Sequence, residues 1–275
     1  RVYYFKRNQS LLGSAFTTAE LVFHASVRNV RAQHPNAVMA ILINVMQLVV
    51  MGTTFYLLMS LRGRGGVPEI RGEFLLYVLS GVFPFMMHIQ SIGAISGVGA
   101  ANNPMMLHSP MNVMVTILAA AFSTFYKFLL AMFIILFVYS VAVAPLEVQN
   151  PGGAFAMLVL AWFTGCAVGL VFMALKPWAP TTVSMLTNIY RRLNMVFSGK
   201  MFIANALGGG LLMMFAWNPL FHIIDQTRGF VFRNYYPRNT SWEYAAWVGI
   251  ALLMIGLMGE FFTRQHVSKS WNARR

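Results

Sequence analysis

The 275-residue chain is 58% hydrophobic and 10% charged, with a mean hydropathy of +0.63 and a formal net charge of +13 at pH 7. Soluble domains carry roughly a quarter charged residues, so this composition excludes an ordinary soluble domain and reads as a polytopic membrane protein, with room for about six or seven spans of about 20 residues. The basic residues are scattered between apolar runs, which argues against nucleic acid, and the single cysteine, Cys166, leaves no disulfide framework and no cysteine-based metal site.

The chain opens RVYYFKRNQS, without an initiator Met and without an apolar core of signal-peptide type. Membrane entry is expected through the internal spans, with a few leading residues missing. Residues 14 to about 34 place Phe16, Ala19, Phe23, Val27 and Val30 on one helical face, with Arg28, Asn29 and Arg31 off it. Just ahead of the first span, that pattern reads as an interfacial helix; an amphipathic helix packed on protein is the alternative. Apolar runs at about 37–60, 74–99, 111–142, 154–175 and 243–262 read as spans.

The stretch between 181 and 232 is harder, because Arg191, Arg192 and Lys200 interrupt one part and Gly208 to Gly210 the next. A span at about 181–203 is expected, followed by two short helices, LGGGLLMMFAW and PLFHIIDQTRGF, each below the roughly 17–25 residues of a crossing. Short apolar helices at membrane depth are buried in protein or line a cavity. The alternative puts the span at 195–217. Either way the expectation is an all-α membrane protein of six spans, divided into a tail and interfacial helix (1–36) and a transmembrane domain (37–275).

An even count puts both termini on one side. The N-terminal tail carries Arg1, Lys6, Arg7, Arg28 and Arg31, and the C-terminal tail Arg264, Lys269, Arg274 and Arg275, so the positive-inside rule makes both cytoplasmic. Arg62, Arg64 and Arg71 in the first loop weaken the contrast; the loop at 143–153 has no basic residue.

Lys127 lies near the middle of the third run, where a charge costs about 2.5 to 3.5 kcal/mol on insertion scales. None of the seven acids is mid-span: Glu20, Glu69, Glu73, Glu147, Asp225, Glu243 and Glu260 fall in tails, loops, span ends or the short-helix region. With Arg191 and Arg192, Lys127 suggests a positively lined route through the membrane, bordered by Tyr126 and Phe125. Snorkelling of Lys127, with the arginines at a cytoplasmic span end, is the competing reading. His88, Gln90, Asn44 and Gln47 are better explained as interhelical hydrogen bonds, with His88 kept as a path candidate. No acids or histidines stand at metal-ligand spacing. "SGK" at 198–200 lacks the upstream glycine and the Ser or Thr of a phosphate-binding loop, so hydrolysis of ATP is not expected in this chain.

Four pieces in order, ELVFHASVRNVRAQHPNAV, NNPMMLHSP, FSGKMF and WNPLFHIIDQTRGF, resemble the permease subunit of polysaccharide-exporting ABC transporters, the KpsM-like capsule exporters and their O-antigen relatives. The resemblance implies a homodimer in the bacterial inner membrane, paired with two cytoplasmic ATPase subunits that hold ATP and Mg. It also implies a periplasmic adaptor, an outer-membrane channel and a lipid-linked, often acidic, polysaccharide as cargo. Loop 100–110 would be a coupling helix, with Asn102, Asn103, Pro104 and His108 near the ATPase and Arg28 and Arg31 on the same side. The short helices at 206–232 would match an external gate, with Trp217, Asn218 and Pro219 at the junction and His222, Asp225 and Arg228 on the second helix. Lys127 would face the anionic chain or its lipid phosphate. Gly208 to Gly210 depart from the family pattern. Export of an O-antigen, another amphipathic lipid or a drug, or a non-transporting scaffold, are the competing functions.

Overall fold

Every regular element of the computed structural model is helical among the described residues, 11–32, 36–61, 74–98 and 113–272. In chain order they are α1 (Leu11–Ala32), α2 (Ala37–Leu61), α3 (Phe74–Ser96), α4 (Val113–Ala142), α5 (Pro151–Leu175), α6 (Pro180–Phe197), α7 (Gly209–Phe215), α8 (Pro219–Val231) and α9 (Trp242–Asn272). Away from water each apolar run must satisfy its own backbone groups, and a helix does so within the segment. Local chemistry sets the starts. The Asn150 side chain accepts from the Gly153 N–H at 2.9 Å with Pro151 at the first helical position, and Asn218 and Pro219 repeat the device at α8.

Among the described residues, five helices are long and apolar enough to cross a membrane: Val38–Leu58, Phe74–Ser96, Val113–Ala142, Pro151–Leu175 and Trp242–Thr263. The expected fifth crossing, α6, is not among them. It has 18 residues rather than a run to 203, because Gly199 turns the chain with φ +69° just beyond Phe197. At that φ a side chain is strained, and a Cβ there would also stand 2.4 Å from the Phe221 ring. The alternative span at 195–217 is not a continuous helix, since this turn and a 3₁₀ turn at Ala204–Ala206 interrupt it.

The core is built around α3, which packs on α2, α4, α5 and α8. Of its most apolar window 83% is buried, against 17% in α9, so α3 is central and α9 peripheral. The closest approach is to α5. A Cβ on Gly165 would stand 2.5 Å from the His88 carbonyl oxygen, and one on Gly169 2.9 Å from Ile95 Cβ, so this pair of small residues four apart lets the two backbones nearly touch. His88 is sealed in that interface, its Nδ1 3.1 Å from the Thr164 hydroxyl and 3.2 Å from the Ala161 carbonyl. Gln90 donates to Gln47 at 3.3 Å, tying α3 to α2.

Val22 and Ala25 of α1 pack on Val115 and Ala119 of α4, and Ser26 donates to the Ala119 carbonyl at 3.3 Å. Phe16, Phe23 and Val27 of the expected membrane face stay exposed, while Val30 turns inward. The helix therefore has both a protein face and an open apolar face. The outer faces of α2, α4 and α9 are also open and apolar, with Met46, Phe137 and Met258 more than half exposed, as suits contact with lipid or a second subunit.

Gly208 to Gly210, the departure noted in the sequence, have nothing within 4 Å of an added Cβ and no positive φ. Gly209→Ala is expected to leave thermal stability in detergent unchanged or raise it by up to about 1 kcal/mol, through the smaller entropy of the unfolded chain. A lower melting temperature would mean these glycines serve a contact outside the subunit.

Candidate functional site

Buried charged and polar groups, Lys200, Asn218, His222, Asp225 and Arg228 among them, gather where α8 packs into the helix bundle. Leu220 and Ile224 of α8 pack with Phe85, Ile89 and Ile92 of α3 and Val168 of α5, at the middle and C-terminal half of those helices. At its other end, Phe230 lies against Gly153 at the start of α5, and the Gln149 N–H donates to the Val231 carbonyl at 3.1 Å. With 13 residues, α8 runs from one end of the bundle to about half depth and no further.

Its deep end is held by Asn218, which is 1% exposed. The side-chain oxygen accepts from the Leu220 N–H at 3.0 Å, and the amide donates to Asn194 Oδ1 at 2.9 Å and the Phe197 carbonyl at 3.0 Å, both at the end of α6. His222 bridges outward: Nε2 donates to the Ala216 carbonyl at 2.7 Å, and Nδ1 accepts from the Ser241 N–H at 3.1 Å. That pairing requires the neutral ring with its proton on Nε2. Trp217 is half exposed at the junction, and its carbonyl accepts from the Tyr244 hydroxyl at 2.9 Å.

Two buried charges follow one helical turn apart. Asp225 accepts from the Tyr235 hydroxyl, from Thr240 Oγ1 at 2.8 Å and from the Ala204 N–H at 3.3 Å. Burial, with the Asp225 carboxylate beside it, pushes the Tyr235 phenol above its ordinary range, so it remains a donor. Arg228, 0% exposed, donates to the carbonyls of Gly199, Lys200 and Phe202, and its guanidinium carbon lies 4.4 Å from the Tyr77 ring centroid. Lys200 itself is buried, its ammonium 3.3 Å from the Phe85 ring centroid and 4.6 Å from that of Phe55. These charges rest on carbonyls, hydroxyls and rings, which is how a short helix is kept at membrane depth without open backbone. Among the described residues no group of three or more His, Cys, Asp or Glu could hold a metal ion.

The six expected gate residues thus occupy one continuous structure. The six expected path residues are spread over several surfaces of the subunit. Lys127 is 5% exposed and lies on the inner side of α4, Phe125 packs on Trp162 and Phe155 of α5, and Tyr126 faces outward. Arg191 lines a cleft near the end of α3, Arg192 is exposed, and His88 is sealed beneath α5. Of the expected ATPase-facing set, Asn102, Asn103, Pro104, His108 and the Arg31 side chain lie outside the described residues; Arg28 is exposed on α1. Sequence reasoning missed Lys200, Tyr235 and Thr240. A lysine directly after the FSG turn was the visible signal for the first; the others are bound by contacts 10 and 15 residues away from Asp225.

No family model matches the chain. Two Escherichia coli sequences of the polysialic acid transport protein KpsM are similar to it, 26% and 27% identical over 199 residues, covering 70% of this chain and 73% of each of those proteins. The resemblance to KpsM-like permeases implied by the quoted stretches is borne out.

Proposed function

We propose that this KpsM-like chain is the permease subunit of an ATP-driven exporter that carries a lipid-linked, acidic polysaccharide of capsule type across the bacterial inner membrane. The observation that carries the reading is the similarity over 199 residues to a polysialic acid transport protein. Five apolar helices and a short helix, α8, that carries a buried aspartate and arginine suit a permease better than a scaffold, which has no need to bury those charges. With α6 counted as the sixth crossing, both termini share the cytoplasmic face. Hydrolysis then falls to a partner subunit that binds ATP and Mg, docking against loop 100–110. A second copy of the chain would complete the passage, and Lys127 would act on the anionic cargo from α4.

On this reading α7 and α8 form the outer gate. The network gives them a mechanical link: Asn218 and Arg228 fasten α8 to the end of α6 and the turn after it, while His222 and Asp225 fasten it to Ser241 and Thr240 just before α9. Displacement of α6 against α9, driven from the cytoplasmic side, must therefore move α8. Deleting the gene in its host is expected to leave polymer inside the cell and none on the surface, read by surface staining and by extraction of lipid-linked polymer, with restoration by a plasmid copy. Normal surface polymer in the deletion strain would remove the reading.

A further inference from the structure

The Arg191 cleft lies apart from the gate. It opens at the bundle end formed by the C-terminus of α3, the α5–α6 turn and the first turns of α6, and has a volume of about 170 Å3. Ser184, Thr187, Asn188 and Arg191 fall at i, i+3, i+4 and i+7 of α6, so one helical face gives the cleft two hydroxyls, an amide and a guanidinium. Lys176 faces them from the turn after α5.

The electrostatics are one-sided. Among the described residues no carboxylate lies within 4.0 Å of Lys176 or Arg191, and the only ion pair is His24 with Glu20 on α1. Lys176 is engaged by the Ser96 carbonyl at 3.1 Å, which neutralises the negative end of α3. Arg191 Nε is buried with no hydrogen-bond partner. A buried guanidinium donor without an acceptor is costly unless a ligand supplies one. Gly93 borders the guanidinium: a Cβ there would stand 3.7 Å from its central carbon, in ordinary van der Waals contact.

We propose that this cleft binds a phosphate group, and that the group belongs to an anionic membrane amphiphile. The fork of a guanidinium with neighbouring hydroxyls and an ammonium matches phosphate oxygens, as it matches few neutral ligands. The volume is below the roughly 300–1,000 Å3 of pockets that enclose drug-sized molecules, so it suits a headgroup and not a polymer. Beside the polar face, Met185, Leu186 and Ile189 of α6 form an exposed apolar strip along which acyl or isoprenoid tails would lie. The proposal goes beyond the export reading and stands on the cleft alone, since it concerns binding and not transport.

The test uses the full chain, purified with its partner ATPase if one co-purifies, and measured by native mass spectrometry against phosphatidylglycerol, phosphatidylcholine and inorganic phosphate. One phosphatidylglycerol per chain is expected to be retained about tenfold more tightly than phosphatidylcholine, a difference of about 1.4 kcal/mol. Lys176→Gln with Arg191→Gln is expected to erase that preference. Gly93→Val keeps both charges but crowds the guanidinium, and is expected to weaken retention as strongly, while Lys176→Arg retains it. Displacement of phosphatidylglycerol by millimolar inorganic phosphate would support the phosphate site and assign recognition to the headgroup; no displacement would support it with the tails contributing. Equal retention of the two lipids, or an unchanged preference in both the double variant and Gly93→Val, overturns the proposal. Circular dichroism on each variant separates lost binding from lost fold.

Discussion

Gly165→Leu is expected to destabilise the folded subunit severely. The added Cβ would meet the His88 carbonyl oxygen at 2.5 Å, His88 Cα at 3.0 Å and Ser91 Cβ at 3.0 Å, and two of those three atoms are backbone of α3. A flexible side chain can move aside; the backbone of the central helix cannot do so without dragging its contacts to α2, α4 and α8. Overpacking typically costs 1–3 kcal/mol when side chains can adjust, so about 3 kcal/mol is a lower bound here. At roughly 2–4 °C per kcal/mol, the melting temperature in detergent should fall by about 6 °C or more, with loss of the monodisperse peak in size exclusion. His88 offers an internal comparison: His88→Phe removes its bonds to Ala161 and Thr164 but leaves the backbone contact at Gly165 in place, and should do less harm. A Gly165→Leu protein that melts within 2 °C of the parent would show that α3 and α5 are not in backbone contact.

Neither that contact nor the hydrogen-bond network around α8 could be read from one sequence, and the reasons differ. The apolar runs were legible because a span imposes a length and a composition on consecutive residues, so five of the helices fall close to the expected limits. The end of α6 was not, because it depends on Gly199 adopting φ +69°, and a glycine within FSGKMF has no visible dihedral. Gly165 and Gly169 stand four apart in GCAVG, a spacing that marks a close crossing but names no partner helix. Trp217, Asn218 and Pro219 were placed at a junction by the family resemblance, whereas the partners of Asp225 and Arg228 depend on how the chain folds back from 199–206 and 235–240. Lys127 gave the loudest signal, a charge in mid-span, yet it alone could not say which way the side chain points. In the folded subunit it turns inward, while Tyr126 and Phe133 hold the outer face of the same helix. Arg191 was visible as a charge, but its cleft required the turn after Leu175 to bring Lys176 beside it.

Arg228 is expected to tolerate no substitution, lysine included. Its guanidinium reaches three carbonyls of one turn, those of Gly199, Lys200 and Phe202, while lying over the Tyr77 ring, so a single side chain closes the backbone just where Gly199 has broken α6. The seat is tight: a Cβ on Gly81 of α3 would stand 3.0 Å from the Arg228 terminal nitrogen and 3.0 Å from the Lys200 carbonyl oxygen. Arg228→Met would leave the Lys200 and Phe202 carbonyls without a donor, Gly199 with the Phe202 N–H alone, and Asp225 without its positive neighbour, at a cost of about 3–5 kcal/mol. That corresponds to a fall of about 6–20 °C in melting temperature. Lysine restores the charge but not the fork, since a single ammonium nitrogen lacks the planar spread needed to reach the same three oxygens and stack on Tyr77. Arg228→Lys should therefore recover less than half of the lost stability, and on the export reading surface polymer should be absent in both variants. If Arg228→Lys exports normally and melts with the parent, the turn at 199–202 is held by something other than this side chain. Helix α8 would then need another fastening to α6, with Asn218 the remaining candidate because it bonds both Asn194 and the Phe197 carbonyl.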